Sequence, residues 1–374
     1  MASDAARPLP VRLIATMIQG GRGGIYRYVI ELARRLAAMP GIALSLDCVR
    51  GDEHLLGGLA LRPVSRWARA GACDLARVQL ATRAPAGGVL HAPSYRRVPW
   101  RAGGACVATV HDLAPLHMPE KYGFLRHQFL KRLVPVALRR CDRILTVTEH
   151  TKADLVDAFA IDPQRIVVTP NGIDHARLRP GDRAAALAAL RTWKPQLAED
   201  FVLYASRIEH PGKGHVALLD AWARLAAPGR DLPQLVFAGA AVERADEVFA
   251  HAAALGLKPL HVGFVPEALL PEIYRACRLF VFPSRYEGFG LPPVEAMACG
   301  AAVASSRAGA LAETAGPAAV LDPDDPEQMA ATIGRLIDDG DERARLAGAG
   351  IAWAARFDWD ATARATADVY RSVA

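Results

Sequence analysis

Two carboxylates and a glycine-proline turn lie together at residues 285–300 of this 374-residue chain. Glu287 and Glu295 are eight positions apart, separated by glycines and a Pro-Pro pair. The apolar run at 279–283 before them predicts a strand, then a turn holding Glu287, then a helix with Glu295 in its first turn. N–H groups at a helix start favour an anion, and carboxylates beside an anion bind hydroxyls instead. The segment therefore predicts a site for a nucleoside-diphosphate sugar. One carboxylate would bind the hydroxyls of the sugar and the other those of the ribose.

Two cations lie near a second predicted turn. Arg207 and Lys213 are six positions apart across a Pro-Gly turn, after a predicted strand at 201–205. Arginine can bind diphosphate oxygens through two N–H groups at once, whereas lysine contributes a point charge. A cation directed at charge that develops on a leaving phosphate lowers the barrier by several kcal/mol. The pair therefore predicts stabilisation of a departing nucleoside diphosphate.

The first half of the chain has a glycine loop and a histidine after predicted strands. Residues 19–24 read Gln-Gly-Gly-Arg-Gly-Gly. This departs from the G-x-G-x-x-G spacing of dinucleotide-binding folds, so a nicotinamide cofactor is disfavoured. Such a loop still lets the backbone approach a ligand. His111 and Asp112 follow the apolar run at 106–110, which makes His111 a candidate hydrogen-bond partner for a ligand.

Neither the cysteines nor the acidic pairs predict a metal site. The six cysteines are scattered without a C-x2-C pair, which argues against zinc and against a disulfide framework. Asp322-Pro-Asp324 and Asp358-Trp-Asp360 match the Asp-x-Asp pattern that holds divalent metals in other enzymes. Each pair immediately precedes a helical pattern, however. Asp325 and Asp360 are therefore predicted to cap helices.

Strand-like apolar runs alternate with helix-period segments along the chain. The predicted strands of the first half are 12–17, 42–49, 89–92, 106–110, 143–147 and 165–169. Those of the second half are 201–205, 235–238, 261–264, 279–283, 302–304 and 319–321. The clearest helix pattern is 24–39, with apolar residues on one stripe. From Asp174 to Asp200 the pattern lapses, and no regular element is predicted. Alternating βα units predict parallel sheets with ligands at the carboxyl ends of the strands.

The segment 284–292, Ser-x-Tyr-Glu-Gly-Phe-Gly-Leu-Pro, and the Glu-x7-Glu spacing closely resemble the signature of family 4 of the retaining glycosyltransferases. The resemblance is to hexosyltransferases of the bacterial polysaccharide type and extends over nearly the whole chain. It implies an α/β chain of GT-B architecture: two facing Rossmann-like domains, a deep interdomain cleft and a C-terminal crossover helix. The expected parts are a disordered tail at 1–10, an acceptor-binding domain at 11–177, a nucleotide-sugar domain at 178–356 and a returning helix at 357–374.

The resemblance also implies a role for each matching residue. The catalytic group is Glu287, His111, Arg207 and Lys213. The donor-binding group is Gly23, Gly24, Phe264, Val265, Gly288, Phe289, Gly290, Leu291 and Glu295. The acceptor-binding group is Arg22, Tyr26, Thr148, Glu149 and Asn171. Glu287 and His111 would hold the transferred sugar, and Glu295 the ribose. No metal and no cofactor would take part, and the leaving diphosphate would accept the acceptor's proton.

The net charge of +6 is unevenly distributed. Residues 1–180 contain 26 Lys and Arg against 14 Asp and Glu, a net of +12, and residues 181–374 have a net of −6. Within 121–143, seven basic residues interleave with apolar ones, a pattern that suits anionic lipid, a phosphate-bearing acceptor, or an ordinary solvated helix. No nucleic-acid-binding motif accompanies the charge. Without a leader or a long apolar run, the expected location is the cytoplasm, with peripheral contact to the inner face of the membrane if the basic stretch binds lipid.

Several identities stay open at the level of sequence. The donor is a UDP or GDP sugar, with mannose or glucose favoured, and the acceptor is a saccharide, favoured as lipid-linked. Two other enzyme classes share such a scaffold, a nucleotide-sugar epimerase and a sugar phosphorylase. A catalytically inactive binding subunit is the non-enzyme alternative. The oligomeric state has no sequence signal.

Overall fold

The structure, a computed structural model, describes residues 7–18, 21, 23–64, 83–99, 102–226, 229–242 and 244–374. The chain forms two compact units. The first unit consists of Met1–Gly172 together with Asp358–Ala374, and the second consists of Ile173–Phe357. Each unit contains one parallel sheet with helices, so the alternating βα pattern predicted from the sequence is confirmed.

The first unit holds a seven-stranded parallel sheet in the order β3-β2-β1-β4-β5-β6-β7. The strands are β1 (Leu9–Ile14), β2 (Ile42–Val49), β3 (Leu61–Val64), β4 (Val89–Ala92), β5 (Ala105–Val110), β6 (Arg143–Thr146) and β7 (Ile166–Val168). The order runs outwards from β1 in both directions, so β1 and β4 flank the point where the connections reverse. Ligands of open parallel sheets bind beyond the carboxyl ends of the strands at such a point.

The described residues of the first unit form six helices. They are α1 (Gly24–Ala38), α2 (Ala114–His117), α3 (Phe124–Gln128), α4 (Val134–Leu138), α5 (Glu149–Phe159) and α14 (Trp359–Val373), and α3 is joined to α4 by a π-helical turn at Phe129–Leu133. Single 3-10 turns lie at Glu53–Leu56, Tyr95–Arg97, Pro119–Lys121 and Pro163–Arg165. In α1 the residues at three- and four-residue spacing, from Tyr28 to Leu36, are buried, as its apolar stripe predicts.

The first strand corrects two expectations. It begins at Leu9, so the predicted disordered tail at 1–10 is wrong for Leu9 and Pro10, and it ends at Ile14 rather than Met17. Arg12 lies inside the strand, and apolar residues continue beyond Ile14, so hydrophobicity does not mark the ends of the strand. The pairing with the neighbouring strands marks them. Leu9 lies beside Ile42 of β2, whereas pairing with β4 starts only at Val11. Pro10 therefore lacks an N–H where only one neighbouring strand has begun.

The edge strand β3 has no counterpart among the predicted strands. Its sequence, Leu-Arg-Pro-Val, contains a proline and an arginine and has no buried residue, so it lacks an apolar pattern. Proline is tolerated in sheets mainly on edge strands, and β3 pairs only with β2 in the sheet order.

The last helix completes the first unit. Trp359, at the start of α14, is fully buried and meets the ring of Tyr28 edge-on at 6.1 Å between centroids. Near its end, the hydroxyl of Tyr370 is 2.6 Å from Nδ1 of the buried His91. On the outer side, Arg35 of α1 forms an ion pair with Asp360 at 2.6 Å. Helix α14 therefore packs on α1 and the sheet of the first unit.

The second unit holds a six-stranded parallel sheet in the order β10-β9-β8-β11-β12-β13. The strands are β8 (Phe201–Ala205), β9 (Gln234–Ala238), β10 (Leu260–Gly263), β11 (Leu279–Phe282), β12 (Val303–Ser305) and β13 (Ala319–Val320). The central strands β8 and β11 are buried at every residue, which is typical of a parallel sheet covered on both faces. They are neighbours, and they flank the reversal point of this sheet.

Eight helices are formed by the part of the second unit that the structure describes. They are α6 (Arg183–Trp193), α7 (His215–Leu225), α8 (Ala245–Ala254), α9 (Leu270–Ala276), α10 (Leu291–Ala298), α11 (Leu311–Thr314), α12 (Pro326–Asp338) and α13 (Gly340–Ala354), with a 3-10 turn at Glu267–Leu269. Helix α6 lies where no regular element was predicted. Asp182 caps it by accepting a hydrogen bond from the N–H of Ala185 at 2.7 Å, a start signal that the sequence already contained. No helix in the described part of the chain is long and apolar enough to cross a membrane.

Candidate functional site

Lys213 and Glu287 come together as an ion pair in the second unit. Nζ of Lys213 lies 2.6 Å from Oε1 of Glu287, and the two side chains are only 13% and 16% exposed. Lys213 follows β8 and Glu287 follows β11, so the pair sits beyond the carboxyl ends of the two strands at the sheet reversal. An ammonium has three donor hydrogens and a carboxylate has two oxygens, so each group keeps bonding capacity beyond the pair.

The loop that carries Lys213 is fixed from two sides. The hydroxyl of Tyr204, on β8, donates to the carbonyl oxygen of Lys213. Gly214 has a φ of +69°, and a Cβ there would lie 2.0 Å from the carbonyl oxygen of Pro283, so only glycine fits. Two residues after Pro283, the N–H of Arg285 donates to the carbonyl oxygen of Gly212 at 2.9 Å. The backbone segments before Glu287 and around Lys213 are therefore bonded directly to each other.

The turn after Glu287 leads into α10 through Gly290. Gly290 is the N-cap, with a φ of +82°, and a Cβ there would lie 2.4 Å from the side chain of Leu311. Pro292 and Pro293 follow Leu291 in the first turn and have no N–H. The N–H donors that this helix start can offer to an anion are therefore those of Gly290 and Leu291. These are fewer donors than the four that a helix start usually has.

Glu295 lies in the second turn of α10, because the helix begins at Leu291; the predicted position in the first turn is wrong. Its carboxylate is buried, and Oε2 accepts a hydrogen bond from the hydroxyl of Tyr274, on α9, at 3.1 Å. A buried carboxylate is costly unless it is hydrogen-bonded, so Tyr274 both stabilises and orients it. Sequence reasoning assigned no role to Tyr204, which lies in the predicted strand before Arg207, or to Tyr274, which lies outside the motifs.

The two predicted cations are not equivalent in the structure. Arg207 is an exposed side chain whose Nη2 lies 3.6 Å from Oε2 of the buried Glu209. Lys213, in contrast, is mostly enclosed and bonded to Glu287. The structure therefore brings together Lys213 and Glu287, while Arg207 extends from the same strand end into solvent.

The remaining donor-side residues of the second unit have mixed exposure. Phe264, just after β10, is 53% exposed, whereas Val265 beside it is buried. Phe289 is buried and meets Phe357 edge-on at 5.5 Å, and Gly288 is half-buried in the turn before it. The exposed ring of Phe264 at a strand's carboxyl end is an aromatic surface on which a nucleobase can stack.

In the first unit, His111 lies just after β5 and is half-buried. Its Nε2 is 3.0 Å from the carbonyl oxygen of Pro93, which can only accept, so Nε2 carries the hydrogen and Nδ1 is the acceptor. The ring of Tyr28 packs against it edge-on, with centroids 4.7 Å apart. Burial lowers the pKa of His111 despite the neighbouring Asp112, so the ring is neutral near pH 7.

A chain of buried hydrogen bonds supports this histidine. The hydroxyl of Tyr28 is 3.0 Å from Oγ1 of Thr109, which is 2.7 Å from Nε2 of His91. His91 in turn bonds Tyr370 through Nδ1. Burial lowers the pKa of His91 to about 3, so it is neutral. Sequence reasoning missed these hydrogen bonds, because the residues that form them are far apart in the sequence.

The other predicted positions of the first unit are placed individually. Gly23 is the exposed N-cap of α1 and Gly24 its first residue, while Tyr26 is half-buried; Arg22 lies outside the described residues. Thr148 is fully buried and caps α5 by accepting from the N–H of Thr151, so its hydroxyl is committed to the helix. Glu149 next to it is exposed.

Asn171 differs from the other predicted acceptor-binding positions that the structure describes. It is buried, and its Oδ1 has no hydrogen-bond partner among the described residues. Buried polar atoms are nearly always bonded, so Oδ1 can accept a ligand or water donor. Among the acceptor-binding candidates that the structure describes, Asn171 thus offers a buried acceptor atom that is not committed to a helix cap, unlike Thr148.

The Asp-x-Asp pairs are parts of helix starts and ion pairs. Asp325 caps α12 through the N–H groups of Glu327 and Gln328, as predicted. The cap of α14 is Asp358 and not Asp360, because the helix begins two residues earlier than expected, at Trp359. Asp324 pairs with Arg285.

Comparison with known proteins agrees with this arrangement. Residues 22–177 match the family model described as Glycosyltransferase Family 4, and residues 191–353 match Glycosyl transferases group 1. An O-antigen chain mannosyltransferase B of Escherichia coli is 31% identical over 76% of this chain and 74% of that protein. A D-inositol 3-phosphate glycosyltransferase of Salinispora tropica is also 31% identical, over 98% of this chain and 86% of that protein.

Solved structures with the same fold are also similar over the full length. A crystal structure of Anabaena Alr3699/HepE in complex with UDP and glucose has a TM-score of 0.77 at 20% identity, covering 97% of this chain and 99% of that one. Sucrose-phosphate synthase of Thermosynechococcus elongatus has the same TM-score at 21% identity, covering 97% and 98%. The fold is GT-B, and the chain belongs to glycosyltransferase family 4.

Proposed function

We propose that this glycosyltransferase moves a hexose, mannose or glucose, from a UDP or GDP sugar to a saccharide acceptor with retention of configuration. The observation that supports this most is the enclosed Lys213–Glu287 pair at the sheet reversal of the second unit. A cation and a carboxylate in contact suit a ligand that joins a diphosphate to a hydroxyl-bearing sugar. Neither group alone is suited to both halves of such a donor.

Each donor group has a proposed partner. The remaining N–H groups of Lys213 bind the diphosphate, together with the backbone N–H groups of Gly290 and Leu291. Glu287 accepts hydrogen bonds from the sugar hydroxyls, and Glu295, oriented by Tyr274, accepts them from ribose. The exposed guanidinium of Arg207 reaches diphosphate oxygens from solvent, and the ring of Phe264 stacks on the base.

The proposed chemistry is a displacement on one face of the sugar. The bond between the anomeric carbon and the diphosphate oxygen breaks, and the acceptor oxygen forms its bond on the same side. The acceptor's proton passes to the departing diphosphate, so no protein base is required. Lys213 offsets the negative charge that grows on the leaving diphosphate. The neutral ring of His111 accepts a hydrogen bond from a sugar hydroxyl through Nδ1. No metal is needed for this step.

The proposed acceptor is a saccharide, lipid-linked or phosphate-bearing. The names of the two relatives describe transfer to an O-antigen chain and to a phosphorylated inositol. The first unit carries a face that suits such acceptors, formed by the exposed apolar residues Phe124, Leu133 and Val136 with the exposed Lys131 and Arg132. Phe124 is 74% exposed. We name these five residues the basic-apolar face.

The basic-apolar face supports peripheral contact with an anionic membrane at the inner side of the cell. Basic and aromatic side chains together bind the interface of anionic bilayers, and each basic residue near the surface contributes about 1 kcal/mol. Co-sedimentation with vesicles of anionic and of zwitterionic lipid tests this. Binding to the anionic vesicles should fall in Phe124→Ser and with added salt; equal binding to both vesicle types contradicts it.

The transfer assay tests the central proposal. Purified protein is first screened by thermal shift with UDP, GDP and their mannose and glucose forms, because a ligand at 100 times its Kd adds about 2.7 kcal/mol of stability. The stabilising donor is then incubated with saccharide acceptors, and the anomer of the product is read by NMR. We expect an acceptor-dependent product that keeps the donor's anomeric configuration, with EDTA present.

Each rival predicts a different outcome in the same experiment. An epimerase alters the donor without any acceptor. A phosphorylase that uses pyridoxal phosphate shows the absorbance of that cofactor. An inactive binding subunit forms no product with any donor that stabilises it. An inverted anomer would refute retention.

A further inference from the structure

Two histidines and an aspartate converge on one side of the first unit, apart from the residues assigned to the donor. Nε2 of His117 lies 2.8 Å from Oδ2 of Asp154, and Nε2 of His150 lies 3.7 Å from the same oxygen. The ligand atoms of the three residues all lie within 4.8 Å of one another. We propose that His117, His150 and Asp154 form a zinc site, which we call the His2Asp cluster.

The secondary structure explains why these three side chains meet. His150 and Asp154 are four positions apart on α5, so they lie on one face of the helix, one turn apart. His117 is the last residue of α2 and approaches that face from a different part of the chain. The imidazole rings of His117 and His150 are 5.8 Å apart between centroids and tilted by 39°.

The distances are close to those of a tetrahedral zinc site. Zn–N and Zn–O bonds of about 2.0–2.2 Å place neighbouring ligand atoms about 3.4 Å apart. The two separations that involve Asp154, 2.8 and 3.7 Å, lie on either side of this value, and the ligand atoms of the two histidines lie within 4.8 Å of each other. His117 is exposed and the other two residues are half-buried, which leaves the fourth position open to water.

The ligand chemistry narrows the ion to a transition metal, and we assign zinc because the ligand spacing is close to tetrahedral. Two imidazoles with one carboxylate suit zinc, whereas magnesium and calcium prefer sites built only from oxygen. The sequence predicted no metal site, because its cysteines form no C-x2-C pair and its Asp-x-Asp pairs precede helical patterns. The His-x3-Asp spacing on α5 was visible, but its third ligand lies 33 positions away and only folding brings it near.

Zinc here would act on structure and not on the transfer step. Asp112 accepts a hydrogen bond from the N–H at the start of α2 at 3.1 Å, and Thr151 of α5 donates its hydroxyl to the carbonyl oxygen of His111 at 3.4 Å. The segment 111–117 and α5 are thus already bonded at one end. Zinc would join them at the other end and hold the loop that follows β5.

Zinc binding to the full-length protein tests the proposal. Metal-free protein is titrated with Zn²⁺ against a chromogenic chelator, and Co²⁺ is used as a spectroscopic probe of tetrahedral geometry. We expect one ion per chain, intense visible Co²⁺ bands and a melting temperature that rises with Zn²⁺. His117→Ala and Asp154→Asn should each raise the Kd for Zn²⁺ by more than the roughly 10- to 100-fold that loss of an outer-shell partner costs.

The control is His54→Ala, which removes an exposed histidine elsewhere in the same unit and should bind Zn²⁺ like the parent protein. Because His117 is exposed, its replacement leaves the core intact, and circular dichroism checks the fold of each variant. If the parent protein binds no Zn²⁺, or if both variants bind it as tightly as the parent, the cluster is a His–Asp hydrogen-bond pair and the proposal is wrong.

Discussion

Replacement of Lys213 by methionine tests the enclosed ion pair directly. Methionine keeps most of the length of the side chain and removes the charge that we assign to the leaving diphosphate. Loss of one positioned electrostatic group typically lowers kcat by about 10²–10³, or about 2.7–4 kcal/mol. We expect a fall of this size in Lys213→Met, measured as steady-state transfer with saturating donor and acceptor.

The same substitution also removes the partner of a mostly buried carboxylate. Glu287 is only 16% exposed, and an unsatisfied buried polar group costs about 1–3 kcal/mol. For a unit of 185 residues, Ile173–Phe357, this corresponds to a drop in Tm of about 2–12 °C. Adding Glu287→Gln removes the unpaired charge, so the double variant should regain much of this stability while transfer stays low.

Arg230→Met is the matched control. Arg230 also pairs with a carboxylate of the second unit, Asp338, at 2.8 Å, but the pair is on the surface and outside the proposed site. Surface pairs contribute about 0–1 kcal/mol, so we expect transfer at the parent rate and little change in Tm. If Lys213→Met retains kcat within about threefold of the parent enzyme, the assignment of Lys213 to the leaving group is wrong.

Three further outcomes follow from buried groups. Trp359→Ala should destabilise the first unit by about 3–5 kcal/mol in urea unfolding, because it empties a fully buried site on α14; a change below 1 kcal/mol would contradict that packing. The pKa of His91 is lowered to about 3, so its stabilising contribution is complete above pH 6.5 and is lost as pH falls from 6.5 towards 3; His91→Asn should show a weaker loss of unfolding free energy across that window. Tyr274→Phe should raise the donor KM about two- to tenfold at unchanged kcat, since it orients the carboxylate assigned to ribose; a fall in kcat alone would argue against that role.

Most of the fold could be predicted from the sequence, because the buried strands of a parallel sheet are recognisable as apolar runs. Strands β2, β4 and β8 have the predicted bounds, and the other predicted strands differ by a few residues at their ends. The misses have physical reasons. Edge strand β3 carries a proline and has no buried residue, and α6 is an alanine-rich helix whose buried residues are Ala186 and Leu190, a short apolar stripe.

The candidate site was predictable only as far as its motifs reach. The types and spacing of Glu287, Glu295 and Lys213 indicated the chemistry, but not that Lys213 is bonded to Glu287 while Arg207 points into solvent. That difference depends on which strands are neighbours, a fact of topology. Supporting groups such as Tyr274 come from helices without any motif, so no local pattern identifies them.

The division of the chain into units has a consequence for synthesis. The second unit is an insertion: 185 residues separate Gly172 from Asp358, and both of these belong to the first unit. A chain emerging from the ribosome can complete the second unit first, since all its residues are made before α14. The first unit stays without Trp359 and Tyr370 until residues 358–374 have been synthesised. A truncation that removes α14 would therefore damage the first unit, although most of that unit is synthesised before the second.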